Sequence, residues 1–319
     1  MLFELAPDAG FCKNIAFMTG FDSEIVLDAY AKVNLTLEIL GKRPDGYHDL
    51  RSVIAPISLV DTVTLYSAAS GEIGLSINTE SWIRPDRLGP GELNLAVRVA
   101  RLMQRRYNVK QGVFIKIQKR IPIGGGMGGG SADAAAVIRG LNLLWRLNLD
   151  LDEMCAFGAD IGSDIPALVI GGFVLAEGRG ERVQAMFEQE SAASIEPLWM
   201  VVANPGIMCS TADIFNRWRA DLTIPPKILH NVCFHIKKAD VHAIAEHLYN
   251  DLEKIVFAMC PEVNETARLL KEAGCLGVLL SGSGASVFGV VLNEAHGESV
   301  SRKLPAGLWH RVVRTCPVV

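Results

Sequence analysis

Six glycines in seven residues, Gly124-Gly-Gly-Met-Gly-Gly-Gly130, are the feature that most restricts what this chain can become. Such a run has almost no side chains with which to pack, so it is useful where backbone must approach something closely or adopt positive φ. Its flanks decide how it is read. Before it, Val113–Ile121 alternates Val113, Ile115 and Ile117 against Lys116 and Gln118, the pattern of a strand. After it, Ala134, Val137, Ile138, Leu141, Leu144 and Trp145 recur at helical spacing. The glycines therefore deliver the chain onto a helix N-terminus, where the first amides lack partners and the dipole favours negative charge. A strand, a glycine loop and a helix in that order make a phosphate cradle. A flexible linker would not be bracketed by two strongly patterned elements.

Three phosphate motifs share this outline. A P-loop needs Lys and then Ser or Thr after its last glycine, and here Ser131 follows Gly130 directly. Gly124, Gly126 and Gly129 satisfy G-x-G-x-x-G, with Asp150 some way beyond. A dinucleotide fingerprint, however, follows a strand buried on both faces, and Lys116, Gln118 and Lys119 predict one wet face for this strand. A protein-kinase glycine loop leads into another strand, whereas this one leads into a helix.

Elsewhere, Asp28–Leu40 alternates with period two and reads as a strand with one buried face. Lys32 and Asn34 share the other face, which by itself reads as solvated. Pro44-Asp45-Gly46 marks a turn before extended Ser52–Tyr66, and Asn94–Tyr107 has helical spacing. Asp164, in Gly162-Ser-Asp-Ile-Pro166, reads by itself as a helix cap. Polar Phe187–Glu196 is the expected domain boundary. Beyond it, Leu198–Ala203, Gly277–Ser281, Ser286–Leu292 and His310–Thr315 predict strands. Asp240–Tyr249 and Glu262–Ala273 predict helices, the second closed by Gly274. A β-α-β-β-α-β order follows if a weakly patterned helix lies between Glu294 and Leu304. Leu280-Ser-Gly-Ser-Gly-Ala-Ser-Val287 is a second glycine turn, readable as a plain hairpin.

Composition narrows the functions. In 319 residues, 31 Lys+Arg stand against 35 Asp+Glu, so there is no cationic excess for a nucleic-acid backbone. No apolar run is long enough for a transmembrane helix. Residues 1–24 carry Glu4, Asp8, Asp22 and Glu24 against Lys13 alone, unlike a secretory or transit segment. The seven cysteines are scattered with no C-x-x-C pair, which predicts neither a zinc cage nor a disulfide framework. A cytoplasmic protein with no nucleic-acid or membrane partner is expected.

Ala31-Lys-Val-Asn-Leu35, Pro122–Ala136 and Ser281–Ala285, in that order and spacing, resemble the three motifs of the GHMP small-molecule kinases. Arg43-Pro-Asp-Gly-Tyr-His48, Gly162–Pro166 and Asn250-Asp-Leu-Glu253 extend the resemblance from about Ile25 to the C-terminus. The Arg-Pro-Asp-Gly-Tyr-His segment is similar to the branch whose acceptor is cytidine diphosphate methylerythritol, in the non-mevalonate route to isoprenoids. The resemblance implies a two-lobed α+β fold. A ribosomal protein S5 domain 2-like, ATP-binding lobe would span 25–190, and a ferredoxin-like lobe 191–319. Residues 1–24 look like an extension, expected to be poorly ordered, with Met18 a candidate start.

The resemblance also implies ATP-dependent phosphorylation of the acceptor's 2-hydroxyl, with Asp164 as catalytic base and Lys32 beside it. Phosphoryl transfer depends mainly on positioning and charge stabilisation, which suits such a pair. Pro122-Ile123-Gly124-Gly125-Gly126-Met127-Gly128-Gly129-Gly130-Ser131-Ala132 match the ATP phosphate loop, and Asn94 and Lys119 match positions near the adenosine. Asn34, Tyr47, His48 and Phe215 match the cytidine side, where aromatic rings can stack on the base. Mg²⁺ is expected with the nucleotide, with Ser131 the candidate metal-facing hydroxyl. A monomer or homodimer is expected. The competing readings are another GHMP kinase acting on homoserine, a mevalonate derivative or a sugar, and a non-catalytic sensor on the same fold. Gly46-Tyr47-His48 argues against the first, and the presence of both Asp164 and Lys32 against the second.

Overall fold

The computed structural model describes residues 18–19, 22–68, 71–83, 91–188, 194–219 and 228–316. The first half is framed by a long antiparallel ribbon, β2 (Asp22–Lys42) on β3 (His48–Ala68), with β1 (Met18–Thr19) paired to the start of β2. The expectation for residues 1–24 therefore falls largely outside the described residues, and strand structure begins at Met18. β4 (Ile73–Thr79) runs parallel to β5 (Gly112–Lys119), and the crossover between them contains α1 (Leu95–Arg106). β3 divides its other edge: Thr62–Ala68 pairs with β5, while Leu50–Ile54 pairs with β6 (Val174–Gly178), which continues to β7 (Arg182–Ala185). α2 (Gly129–Leu144), α3 (Leu151–Ala159) and α4 (Ile165–Ile170) complete this lobe. Ala134, Val137, Ile138 and Leu141 of α2 are buried in one core with Ala29, Ala31, Val33 and Leu35 of β2.

The second half builds a four-stranded antiparallel sheet from β8 (Trp199–Asn204), β10 (Gly277–Leu280), β11 (Val287–Val291) and β12 (Trp309–Arg314), in the order β10-β11-β8-β12. Between β8 and β10 lie α5 (Thr211–Arg217), α6 (Ile228–Lys237), α7 (Val241–Glu246), β9 (Tyr249–Asn250), α8 (Glu253–Met259) and α9 (Pro261–Ala273). The weakly patterned helix is present as α10 (Glu294–Ser301), started by Asn293, whose side chain accepts from the His296 amide at 2.9 Å. With α9 and α10 as the two crossovers, the sheet has the ferredoxin-like βαββαβ plan. Met200, Val202, Phe288 and Val290 join the core shared with the first lobe, while Val201, Ala203, Val287 and Val291 pack in a second core with residues of α8 to α10.

The two halves are stitched through β2 and β3. β9 adds to β2 in parallel, with Thr36 opposite Tyr249 and Leu37 opposite Asn250. Thr315 bridges Ile57, and the Cys316 amide donates to the Pro56 carbonyl at 2.9 Å. This corrects one sequence reading: the polar positions of β2 are not solvated. Lys32, Asn34, Thr36 and Glu38 are all buried.

A second correction concerns β5. Phe114, Lys116 and Gln118 do face outward, but Lys119 follows Val113, Ile115 and Ile117 onto the inner face, as odd-numbered positions must. The six described cysteines are free thiols. Among the described residues no helix is long and apolar enough to cross a membrane.

Candidate active site

The site begins with an irregularity in β2. Its register against β3 shifts between Tyr30 and Lys32, and the Lys32 amide turns to donate to the Met127 carbonyl at 3.0 Å. One backbone bond thus holds the glycine loop against the strand that carries Lys32. The Lys32 ammonium donates to Asn34 Oδ1 at 2.7 Å, Asn34 Nδ2 donates to Ser52 Oγ at 2.8 Å, and Ser52 Oγ donates to the Thr36 carbonyl at 2.5 Å. The relay satisfies polar groups that burial would otherwise penalise.

Asp164 occupies the N-cap position of α4, yet its side chain accepts no capping bond. Its Oδ2 instead stands 3.6 Å from Lys32 Nζ, and the two side chains differ sharply in exposure, 39% for Asp164 against 5% for Lys32. The cation lies beneath and the carboxylate opens outward, so a hydroxyl arriving from solvent can meet the carboxylate.

The glycine loop meets this pair from one side. Gly124, Gly126 and Gly128 all have positive φ. Gly128, left-handed at φ 68°, is the N-cap of α2 and supplies no side-chain cap, so amides of the first turn remain free for an anion. The second glycine turn closes on the loop from the opposite lobe. Ser281 Oγ donates to the Gly126 carbonyl and the Ser286 amide to the Gly125 carbonyl, each at 3.0 Å. A Cβ at Gly126 would lie 2.2 Å from the Ser281 carbonyl oxygen, and one at Gly282 would lie 3.3 Å from Lys32 Nζ.

Asn94 caps α1, its Oδ1 accepting from the Ala96 amide at 2.9 Å. Leu95, the next residue, is 3.7 Å from a Cβ placed on Gly130, which puts the α1 start beside the loop. Lys119 is buried under the loop rather than beside a solvent-facing pocket. Its ammonium donates to Asp61 Oδ2 at 2.5 Å and Asp133 Oδ2 at 2.7 Å. Burial opposes its charge, but the two carboxylates outweigh burial and hold Lys119 above its ordinary range. Burial pushes Asp133 upward, and Asp61 adds to this against the pull of Lys119.

The Arg43–His48 segment is a clamped turn. The Arg43 amide donates to the Tyr47 carbonyl at 2.8 Å, Asp45 Oδ1 accepts from the Tyr47 amide at 3.1 Å, and the Arg43 guanidinium spans Asp45 and Asp49. Gly46, at φ 88°, makes the reversal. The turn leaves Tyr47 56% exposed, with the Arg179 guanidinium 5.1 Å from its ring centroid. His48 points inward, its ring 5.5 Å from both Phe215 and Trp218. Burial, then the charge of Lys42, lowers the His48 pKa from its ordinary value.

Residues 94–172 match the family model for the GHMP kinases N terminal domain, and residues 235–308 the model for GHMP kinases C terminal. A 4-diphosphocytidyl-2-C-methyl-D-erythritol kinase of Shouchella clausii is 40% identical over 269 residues, 84% of this chain and 86% of that one. Its counterpart in Exiguobacterium sibiricum is 39% identical over 270 residues, 85% and 90% of the two chains. The chain belongs to the 4-diphosphocytidyl-2-C-methyl-D-erythritol kinase family.

A crystal structure of a 4-(cytidine 5'-diphospho)-2C-methyl-D-erythritol kinase superposes with TM-score 0.76 at 30% identity, covering 91% of this chain and 99% of that one. A mevalonate kinase of L. major shares the fold, with TM-score 0.70 at 18% identity over 95% of this chain and 99% of its own.

Within this family member, the structure brings Lys32, Asn34, Asp164 and the glycine loop together, and groups His48 with Phe215. It makes no ring contact between Tyr47 and Phe215 among the described residues; the ring on Phe215 is His48. Sequence reasoning misses Trp218, although its position three residues after Phe215 puts both on one side of a helical turn. It also misses the job of Asn250-Asp-Leu-Glu253. Asn250 Nδ2 donates to the carbonyls of Leu280 and Gly282, at 2.9 and 2.8 Å, and Glu253 accepts the Leu280 amide at 3.0 Å. Asp251 accepts the Ile39 amide of β2 at 2.5 Å. That segment holds the second glycine turn in place.

Proposed function

We propose that the chain transfers the γ-phosphoryl group of ATP to the 2-hydroxyl of 4-diphosphocytidyl-2-C-methyl-D-erythritol, yielding the 2-phosphate and ADP in the cytoplasm. Family membership supports the reaction, and the observation that carries its placement is the Asp164–Lys32 pair, open on the carboxylate side and flanked by the glycine loop. The lobes at 25–190 and 191–319 bring these parts together. The triphosphate lies over Pro122–Ala132, its oxygens taking the free amides of the α2 first turn. Asn94 flanks the adenosine. Asp164 accepts the proton of the attacking hydroxyl at its exposed carboxylate. Lys32 offsets charge on the transferring group while Asn34 fixes the direction of its ammonium. Tyr47 and Phe215 face the cytosine, and buried His48 reads its edge as a neutral imidazole.

A magnesium ion would arrive with the nucleotide. Among the described residues no three acidic, His or Cys side chains gather to hold a metal. Ser131, in the first turn of α2, offers a hydroxyl beside the phosphates. When bound, the ion neutralises charge on the β- and γ-phosphate oxygens. Asp164→Asn should bind ATP as the parent does and lose turnover, read as ADP release with Mg·ATP and the cytidylylated alcohol. Near-normal turnover in that variant would remove Asp164 from the role. Turnover with mevalonate or homoserine in place of the cytidylylated alcohol would overturn the substrate.

A further inference from the structure

Three charged side chains lie buried under the glycine loop, and neither proton transfer nor acceptor binding uses them. Asp61 in β3 is fully buried, and Lys119 and Asp133 nearly so. Asp61 Oδ1 accepts the amides of Arg120 and Ile121, at 2.5 and 2.9 Å, where β5 leaves its sheet and the loop begins. Asp61 Oδ2 and Asp133 Oδ2 share the Lys119 ammonium. Asp133 lies just past the first turn of α2, where the loop has ended. One ammonium therefore connects both ends of a segment that has almost no side chains of its own.

The arrangement is a poor choice if stability were its only use. Two carboxylates face one cation, and Asp133 Oδ1 is buried with no hydrogen-bond partner among the described residues. Apolar side chains of similar volume often serve stability as well as a buried ionic triad does. The brace does what apolar packing would not: it fixes a distance and a direction. Lys119 Nζ lies 3.3 Å from the point where a Cβ on Gly129 would stand, directly below the free amides of α2.

We propose that Asp61, Lys119 and Asp133 are positioning residues, a buried brace that sets the spacing of the two ends of the glycine loop for the nucleotide's phosphates. Lys119 then acts through the loop and makes no contact with the adenosine. The inference rests on the reading that ATP phosphates occupy this loop.

The test measures kcat and both KM values in the full chain, together with direct binding of ADP and of adenosine, for the parent, Lys119→Met and Asp133→Asn. Misplacement of the loop should raise the ATP KM and weaken ADP binding roughly ten- to hundredfold. The acceptor KM and the affinity for adenosine should stay within about twofold, a change worth under about 0.5 kcal/mol. Asp133→Asn leaves Asp61 to hold the ammonium, so it should fold even if Lys119→Met does not, and it should show the same split at smaller size. Equal loss of ADP and adenosine binding would make Lys119 an adenosine contact and overturn the brace. Lower thermal stability with both KM values unchanged would reduce the triad to a structural feature and overturn it equally. If the parent itself fails to bind ADP, the nucleotide reading falls first, which separates the two failures.

Discussion

Gly126→Ala and Gly130→Ala, four residues apart in one glycine run, should move stability in opposite directions. Gly126 sits at φ 73°, and an added Cβ would lie 2.2 Å from the Ser281 carbonyl oxygen and 2.8 Å from that of Gly284. Alanine in a left-handed conformation costs about 1–2 kcal/mol. Backbone atoms cannot swing aside as a side-chain tip can, so the Ser281–Gly284 turn must retreat, a further cost of about 1–3 kcal/mol. Retreat also breaks the Ser281 Oγ bond to the Gly126 carbonyl, worth about 1 kcal/mol. The expected destabilisation is about 3–6 kcal/mol, a large share of the 5–15 kcal/mol typical of a folded domain. Gly130 is different. It is exposed within α2, and its added Cβ would meet only Leu95 Cδ1 at 3.7 Å, an ordinary contact. Alanine there should gain up to about 1 kcal/mol from helix propensity. Urea unfolding without nucleotide reads both effects as midpoint shifts at constant slope. A Gly126→Ala protein within about 1 kcal/mol of the parent, or both variants shifting the same way, would refute the packing of the two turns.

Tyr47→Ala removes an exposed ring and should raise the KM for the cytidylylated alcohol while leaving that for ATP nearly unchanged; equal changes would refute a base-facing role. Asp45→Ala removes the acceptor for the Tyr47 amide and a partner of Arg43. Because the turn is exposed, the unfolding midpoint should barely move, and the damage should appear in the acceptor KM; an unchanged KM would show that the turn does not orient Tyr47. For His48, burial lowers the folded-state pKa below the unfolded value of about 6.5. The unfolded chain therefore takes up the proton first, so this residue's share of stability falls as pH drops below about 6.5 and levels off under the folded pKa. His48→Asn should lose less stability than the parent between pH 7.5 and 5.5, as measured by urea unfolding; a parent that gains relative to the variant over that interval would reverse the assigned sign.

Elements whose pattern is local are legible in the amino-acid sequence alone. The alternation of β2, the helical stripe of α2 and the Gly274 stop of α9 each depend on neighbours a few residues away. Misreadings arise where a distant segment decides the outcome. Lys32 and Asn34 sit at polar positions of an alternating strand, a pattern that also describes a solvated face; distant segments, the glycine loop at Gly128 and the second turn at Gly282, cover it. Composition groups Lys119 with Lys116 and Gln118, although counting by twos from Val113 places it inside. The register shift at Lys32, which frees its amide for Met127, leaves no mark in a single sequence, because one residue out of register changes pairing without changing residue type. The part played by Asn250 is hidden for a related reason. Its partners, the carbonyls of Leu280 and Gly282, are backbone atoms, and residue identity does not announce them.

The same long-range dependence explains why the site carries glycine at two places far apart in the chain. Lys32 is on β2, the first glycine loop follows β5, and the second glycine turn lies between β10 and β11. The loop meets both of the others through backbone bonds: Lys32 N–H to Met127 O and Ser286 N–H to Gly125 O. Side chains at the contact points would hold these backbones apart, as the 2.2 Å approach at Gly126 shows. Neither half of the chain can therefore form the site alone. The first half holds Lys32, Asp164 and the loop, and the second turn adds to the cover of Lys32 and Asn34, a Cβ on Gly282 standing 3.3 Å from Lys32 Nζ and 3.4 Å from Asn34 Oδ1. Docking strengthens the pull of the ammonium on nearby negative charge, since the same pair interacts more strongly when water is excluded. Asp164, still partly exposed after docking, is the partner of that buried ammonium that stays open to solvent.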